Sequence, residues 1–214
     1  MSYYWVKTRS FIKKIFFNYV WDIPNAQNKI YLTFDDGPTP EITNWVLEEL
    51  QKNNIKASFF CIGNNIENHP DLFQKIIEKG HKIGNHTFNH WNGWKTTTEA
   101  YIENTKQCEE SIAQFKTTDL GSKIFRPPYG KIKTAQAKII RQLGYKIIMW
   151  DVLSADFDQT ITPQQCLENV LSNVKSGSVI VFHDSIKASK NLKFALPKTL
   201  QYLIEKGFAF DLVE

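Results

Sequence analysis

A chain of 214 residues with 42% apolar and 22% charged side chains can bury one core without disulfide or metal staples, and this composition excludes disorder, collagen-like repeats and coiled coil. Twenty-six basic against 22 acidic side chains leave a net charge of +4, too small an excess to argue for nucleic acid as a partner. The three cysteines, Cys61, Cys108 and Cys166, lie far apart with no metal-finger spacing, so they are expected to be buried free thiols.

Met1 to Trp21 carries Lys7, Arg9, Lys13 and Lys14, and its longest apolar run is Ile15-Phe16-Phe17. A cleavable signal needs an apolar run of about 7–15 residues and a membrane span about 18, so neither is expected. Residues 1–28 read as a capping segment, with a basic amphipathic helix on a membrane surface as the alternative. The expected location is accordingly the cytoplasm or the periphery of a membrane. Lys29 to Phe34 is the first predicted strand, and Ile42 to Gln51 follows at helical spacing through Ile42, Trp45, Val46 and Leu50. Strands are predicted at Ala57–Ile62, Lys82–Asn85, Ile124–Arg126, Tyr145–Trp150, Val179–Phe182 and Phe208–Val213. Helices are predicted at Leu72–Lys79, Thr98–Phe115, Thr134–Leu143, Pro163–Lys175 and Asn191–Glu205, with Gly80 and Gly144 as C-terminal stop signals.

Strands alternating with helices argue for parallel βα units over residues 29–214, in either a barrel or an open doubly wound sheet. A dinucleotide-binding sheet wants a glycine-rich turn after its first strand. This chain has Asp35-Asp36-Gly37-Pro38 there, with two carboxylates where a phosphate would sit. The reading is therefore a barrel.

The polar clusters follow predicted strand ends, where barrel enzymes build their sites. They are Asp35-Asp36, His86 with His90, Arg126, Asp151 with Asp156, and His183-Asp184. His86 and His90 share a face if their segment is helical. The HExxH motif has this spacing with a glutamate as base, but its second position here is Thr87, so a base must come from elsewhere. Alone, the pair also fits two surface histidines. Adjacent carboxylates repel unless a cation or donor compensates, which strengthens the metal reading. Two histidines and one carboxylate leave open positions on a catalytic metal, and the other carboxylate is free to act as base. Arg126-Pro127-Pro128-Tyr129-Gly130 is a stiff loop able to hold Arg126 against a carboxylate and present the Tyr129 amide. His69 and His81 have no clustered partner and read as structural.

Together these residues resemble the polysaccharide deacetylases of the NodB-homology type (carbohydrate esterase family 4). Thr33-Phe34-Asp35-Asp36-Gly37-Pro38, His86-Thr87-Phe88-Asn89-His90 and Arg126-Pro127-Pro128-Tyr129-Gly130 match the first three family motifs, in order. The resemblance runs from about Lys29 to Val213. It implies a single-domain α/β fold, a distorted, TIM-barrel-like (β/α)7 barrel. It also implies a divalent metal, commonly Zn2+ with Co2+, Mn2+ or Ni2+ as alternatives, and hydrolysis of N-acetyl groups on an oligo- or polysaccharide. The implied roles are Asp35 as base, Asp36, His86 and His90 as ligands, Arg126 orienting Asp35, and the Tyr129 amide facing the oxyanion. The fourth motif usually reads Asp-Trp and is Asp156-Phe157 here; the fifth usually reads Leu-x-His and is Val181-Phe182-His183. Asp156 and His183 then form the acid pair, while Phe157 and Val181 alter the wall that receives the acetyl methyl.

The expected reaction is metal-dependent removal of acetate from an N-acetylated carbohydrate of the chitooligosaccharide or peptidoglycan kind. Trp91, Trp94 and Tyr129 are candidates to stack on sugar rings, and core packing is the alternative for the two tryptophans. Other functions weighed are an O-acetyl esterase, a catalytically silent carbohydrate-binding relative, and a non-haem iron oxygenase. The last gives no reason for paired carboxylates.

Overall fold

A computed structural model describes residues 4–115 and 122–214. The first three residues of the expected capping segment lie outside the described residues. In chain order the elements are α1 (Ser10–Ile15), β1 (Lys29–Asp35), α2 (Ile42–Lys52), β2 (Ser58–Cys61), α3 (Gly63–Asn68), α4 (Pro70–Glu78), β3 (Lys82–Asn85) and α5 (Thr98–Ala113). There follow β4 (Ile124–Phe125), α6 (Thr134–Gln142), β5 (Lys146–Ile147), β6 (Val152–Leu153), α7 (Pro163–Leu171), β7 (Val179–His183), α8 (Ser189–Glu205) and β8 (Ala209–Asp211).

Two elements depart from the sequence expectation. Helix α3 was not foreseen, because its run Gly-Asn-Asn-Ile-Glu-Asn buries Ile66 as its single large apolar side chain and shows no helical period. The strand expected over Tyr145–Trp150 stops at Ile147, and a new strand starts at Val152. The interruption coincides with the place where the N-terminal segment joins the sheet.

Seven strands run in the order β5-β4-β3-β2-β1-β7-β6, and β8 adds to the start of β1. Every pairing between them is parallel. Alternation along β1 divides its side chains between two environments. Ile30, Leu32 and Phe34 enter the main core with α2, α7 and α8 residues such as Val46, Val170 and Leu196. Tyr31 points the other way, into a smaller cluster with Phe60, Ile124, Ile148 and Val179. Thr33 and Asp35 share the parity of Tyr31. Along β7, Ile180 and Phe182 join the main core, so Val181 and His183 take the inner parity of Val179. The sheet is therefore curled, with helices outside and a narrow interior.

The seam between β5 and β6 is bridged by the N-terminal segment. Val20 pairs with Ile148 in parallel and Lys7 with Val152 antiparallel. Val20 N–H donates to Ile147 O at 2.8 Å, Met149 N–H to Val20 O at 2.7 Å, and Leu153 N–H to Val6 O at 2.8 Å. The anchor is Asp151, whose side chain is fully buried and accepts from Lys7, Lys13 and Ser178 at 2.5, 2.5 and 2.6 Å. This corrects the grouping of Asp151 with the chemical residues: it immediately precedes β6, at the end of the barrel opposite His183. Among the described residues no helix is long and apolar enough to cross a membrane, and Cys61, Cys108 and Cys166 are free and buried as expected.

Asp151→Asn keeps the shape but removes the charge that both lysines share. Hydrogen bonds to charged groups are worth about 1.5–3 kcal/mol, so a loss of about 2 kcal/mol is expected in urea unfolding at pH 7. Burial raises the Asp151 pKa, but hydrogen bonds from Lys13, Lys7 and Ser178 outweigh it and hold the carboxyl below its usual value. That stabilisation is complete above the unfolded carboxyl pKa of about 4 and is lost as pH falls through the lower folded value. The gap between wild type and variant should shrink as the pH is taken below about 4.

Candidate active site

Asp35 ends β1 and projects inward, where Arg126 meets it. Arg126 follows β4, which is separated from β1 by two strands in the sheet order, so the contact crosses the barrel interior. Its guanidinium is fully buried and donates from Nη1 to Asp35 Oδ1 at 2.7 Å and to Thr33 Oγ1 at 2.7 Å. Nε donates to Ile148 O at 3.1 Å, Nη2 donates to Met149 O at 2.9 Å, and the Phe60 ring lies 4.1 Å from the guanidinium carbon. Both carbonyls come from the broken stretch between β5 and β6. Arg126 thus holds the seam and Asp35 together.

Asp36, His86 and His90 form the one group of three or more potential metal-ligating side chains among the described residues, with donor atoms all within 4.8 Å of one another. Asp36 Oδ1 is 3.2 Å from His90 Nε2 and 3.8 Å from His86 Nε2. The histidines are not on a helix: the backbone bends after β3, with left-handed φ of 63° at Thr87 and 55° at His90. Asp36 itself has φ of 84°. Among the described residues, five of the eight non-glycine residues with positive φ lie in these loops, namely Asp36, Thr87, His90, Tyr129 and Ala155. Such conformations cost about 1–3 kcal/mol each, and their concentration at one barrel end marks a functional site.

His86 Nδ1 lies 2.7 Å from Arg126 O; a carbonyl only accepts, so Nδ1 carries the hydrogen and Nε2 a lone pair facing Asp36. Burial pushes the His86 pKa down to about 4, which keeps the ring neutral. Burial disfavours the Asp36 anion, but the His90 hydrogen bond and the nearby His183 and His86 rings outweigh it and hold the carboxyl well below its usual range. A carboxylate and two imidazoles whose nitrogen atoms converge within 4.8 Å are the donor types a divalent cation takes, so the donor set fits a metal.

The opposite wall carries His183, at the end of β7. Asp156 binds it twice: Oδ2 accepts the His183 backbone N–H at 2.8 Å and Oδ1 lies 2.7 Å from Nδ1. Burial alone would lower the His183 pKa; the Asp156 charge and hydrogen bond, helped by Asp36 and Asp35, reverse this and raise it to about 9. Phe157 lies edge-on to the His183 ring at 5.0 Å and 77°. Val181 lies beneath His183 on the same inner parity and is 1% exposed. Tyr129 is exposed and its ring lies 4.6 Å from that of His90. Trp94 is 61% exposed with Nε1 donating to Ile132 O, and Trp91 is exposed too, so neither tryptophan is core. His81 is buried and accepts from Ala57 N–H, which makes it structural as expected.

Sequence reasoning missed the residues that hold these loops. Asn104 Oδ1 accepts the Phe88 and Asn89 amides at 3.0 Å, and Asn85 Oδ1 accepts the Thr87 amide at 2.9 Å. The signal was available: Asn104 is a buried amide on the inner face of α5, beside Tyr101 and Cys108. Asp184 is fully buried and accepts from Thr43 Oγ1 at 2.5 Å and Gly37 N–H at 3.1 Å. A Cβ at Gly37 would sit 2.0 Å from the Asp184 carboxylate, so only glycine fits there.

Residues 22–148 match the family model for polysaccharide deacetylase. The chain belongs to the polysaccharide deacetylase family. It is similar to a peptidoglycan-N-acetylglucosamine deacetylase of Bacillus cereus, 34% identical over 196 residues covering 90% of this chain and 69% of that protein. It is also 37% identical to chitin deacetylase 2 of Saccharomyces cerevisiae over 180 residues, 81% of this chain and 55% of the yeast protein. A solved peptidoglycan N-acetylglucosamine deacetylase, in complex with a naphthalenyl N-oxidanyl-benzamide, superposes with a TM-score of 0.84 at 31% identity. That match covers 96% of this chain and 95% of the other.

For this polysaccharide deacetylase, chelator-treated protein should take up one equivalent of divalent ion in calorimetric titration. Asp36→Asn and His90→Gln should each weaken uptake by more than tenfold, since loss even of a residue that merely supports a ligand costs about 10–100-fold. The far-UV circular dichroism of the metal-free protein should be unchanged, because the apolar core does not include the ligands. Unaltered uptake in both variants would place the ion elsewhere.

Proposed function

We propose that this chain is a metal-dependent deacetylase that hydrolyses N-acetyl groups of a peptidoglycan- or chitin-like carbohydrate to acetate and a free amine. The observation that carries the reading is the convergence, at one barrel end, of a three-donor cluster with Asp35–Arg126 and Asp156–His183. The names of the similar proteins support the substrate class. In this reading residues 29–214 are the deacetylase domain and residues 1–28 its cap.

Asp36, His86 and His90 would hold the divalent cation, with Zn2+ best suited to the nitrogen-rich set and Co2+, Mn2+ or Ni2+ as alternatives. When bound, the cation supplies Lewis acidity, polarising the amide carbonyl and easing proton loss from water. Asp35 takes at Oδ2 the proton released as water attacks, while Arg126 on Oδ1 sets the direction of the carboxylate. The Tyr129 backbone N–H donates to the carbonyl oxygen as negative charge develops there. His183 carries its transferable proton on Nε2, because Nδ1 is engaged by Asp156. It gives that proton to the nitrogen as the C–N bond breaks, since an amide nitrogen departs poorly as an anion. Phe157 and Val181 bound the acyl side, and the exposed faces of Tyr129 and Trp94 receive sugar rings.

The deciding experiment is mass spectrometry of products from a panel of N-acetylated and O-acetylated glycans, chitooligosaccharides and peptidoglycan fragments included. Loss of an acetyl group from nitrogen is expected; loss from oxygen alone would make the enzyme an esterase, and no loss from any member would overturn the reading. Asp35→Asn should keep its metal and lose turnover by about 10²–10⁴-fold, the usual worth of a general base. In wild type, kcat/KM should fall as pH rises through the His183 pKa of about 9, because the donor proton is lost. Asp156→Asn removes the anion that favours imidazolium, so this limb should move to lower pH, whereas Asp151→Asn should leave it in place.

A further inference from the structure

The segment that closes the seam also reaches the active site. Residues around Lys7 run antiparallel to β6, with Thr8 N–H donating to Asp151 O and Leu153 N–H to Val6 O. Strand β6 runs toward the active end of the barrel, so the segment read backwards from Thr8 does the same. Its first described residue, Tyr4, arrives beside Phe157, with ring centroids 5.5 Å apart and planes at 67°. The Tyr4 hydroxyl donates to Asp158 Oδ2 at 2.8 Å. Phe157 in turn lies edge-on to His183 at 5.0 Å.

The loop Asp156–Phe157–Asp158 is thereby held from two sides. From α8, Asn191 Nδ2 donates to the carbonyl oxygens of Asp156 and Asp158, both at 3.1 Å. From the N-terminal segment, Tyr4 donates to the Asp158 carboxylate and packs at an angle against the Phe157 ring. Among the described residues Asp156 has no lysine or arginine partner, and its two carboxylate oxygens both serve His183. Packing against Phe157 is therefore a main constraint on the imidazole plane besides Asp156.

We propose that Tyr4 is a positioning residue for His183, acting through Phe157, so that the N-terminal segment completes the catalytic centre. The proposal rests on the reading of His183 as the acid. An imidazole with a loosened neighbour still binds substrate, but it presents Nε2 less often along the line to the departing nitrogen. The loss therefore falls on kcat and spares KM.

The test uses the full-length, metal-loaded chain with Tyr4→Ala, Tyr4→Phe and, as a control, Trp5→Ser, whose side chain is half exposed on the same segment. On one N-acetylated oligosaccharide, Tyr4→Ala should lower kcat by about tenfold, part of what an acid contributes, with KM within about twofold. Tyr4→Phe, which keeps the ring, should recover much of that loss, and Trp5→Ser should match wild type. Independently of turnover, the His183 ring resonances in a 1H–13C correlation spectrum, assigned with His183→Gln, should move in Tyr4→Ala while those of His69 and His81 stay. Equal urea midpoints would show that the fold is kept; if Tyr4→Ala is unstable, Tyr4→Leu replaces it in both measurements. Unmoved His183 resonances, or wild-type kcat in the Ala or Leu variant, would overturn the proposal. Absence of deacetylation by wild type would overturn the reaction assignment instead, and the His183 spectrum would still decide whether Tyr4 positions the ring.

Discussion

The ion pair between Arg126 and Asp35 is the constraint on which the rest of the structure depends. Arg126 lies in the low dielectric of the barrel interior, shielded from water, and is among the largest fully buried side chains. Burying a guanidinium costs several kcal/mol unless its donors and its charge are answered. Here they are answered by two different parts of the sheet: Thr33 and Asp35 on β1, and the carbonyls of Ile148 and Met149 after β5. Removing either partner would leave an uncompensated buried charge, at about 3–5 kcal/mol. The sheet must curl for these groups to meet, and the curl is what brings the ends of β1, β3, β4 and β7 around one opening.

Strand–helix alternation made the barrel legible in the sequence, and the chemical residues were legible because each follows a strand end. Seen from the residues alone, the sheet was continuous through Tyr145–Trp150. The break there was hidden because it depends on pairing with Val20 and on a charge buried under Lys7 and Lys13, neither of which has a local signature. Asp151 was misplaced for the same reason: a carboxylate after an apolar run looks the same whether it faces a substrate or two distant lysines. Helix α3 lacked an apolar period. The histidine pair was recognised through helical spacing, yet the structure joins the rings by left-handed backbone at Thr87 and His90, held by Asn85 and Asn104.

Closure of the seam by chain that precedes β1 links the barrel's two ends. At one end Lys7 and Lys13 neutralise Asp151; at the other Tyr4 meets Phe157. Between them the segment supplies the hydrogen-bonding partners that short β5 and β6 cannot give each other. Strands of two residues have little intrinsic stability, and open edges invite wrong pairing. The N-terminal segment satisfies those edges, so its contribution to order around His183 follows from the same hydrogen bonds that complete the sheet.

The two carboxylate–cation pairs at the opening differ in the one property that separates their proposed roles. Arg126 keeps its charge at any pH the fold survives. It can orient Asp35 but has no proton to give, so any proton moving on that wall must pass through the Asp35 oxygen that Arg126 leaves free. His183 faces Asp156 with a pKa of about 9, near enough to neutrality for a proton to leave it in the reaction and high enough for that proton to be present beforehand. A second arginine in place of His183 would balance Asp156 equally well and donate nothing. In the proposed reaction this asymmetry between a fixed and a titratable cation assigns direction to the protons: one is taken up at the Asp35 wall and one is given up at the His183 wall, as hydrolysis of an amide requires.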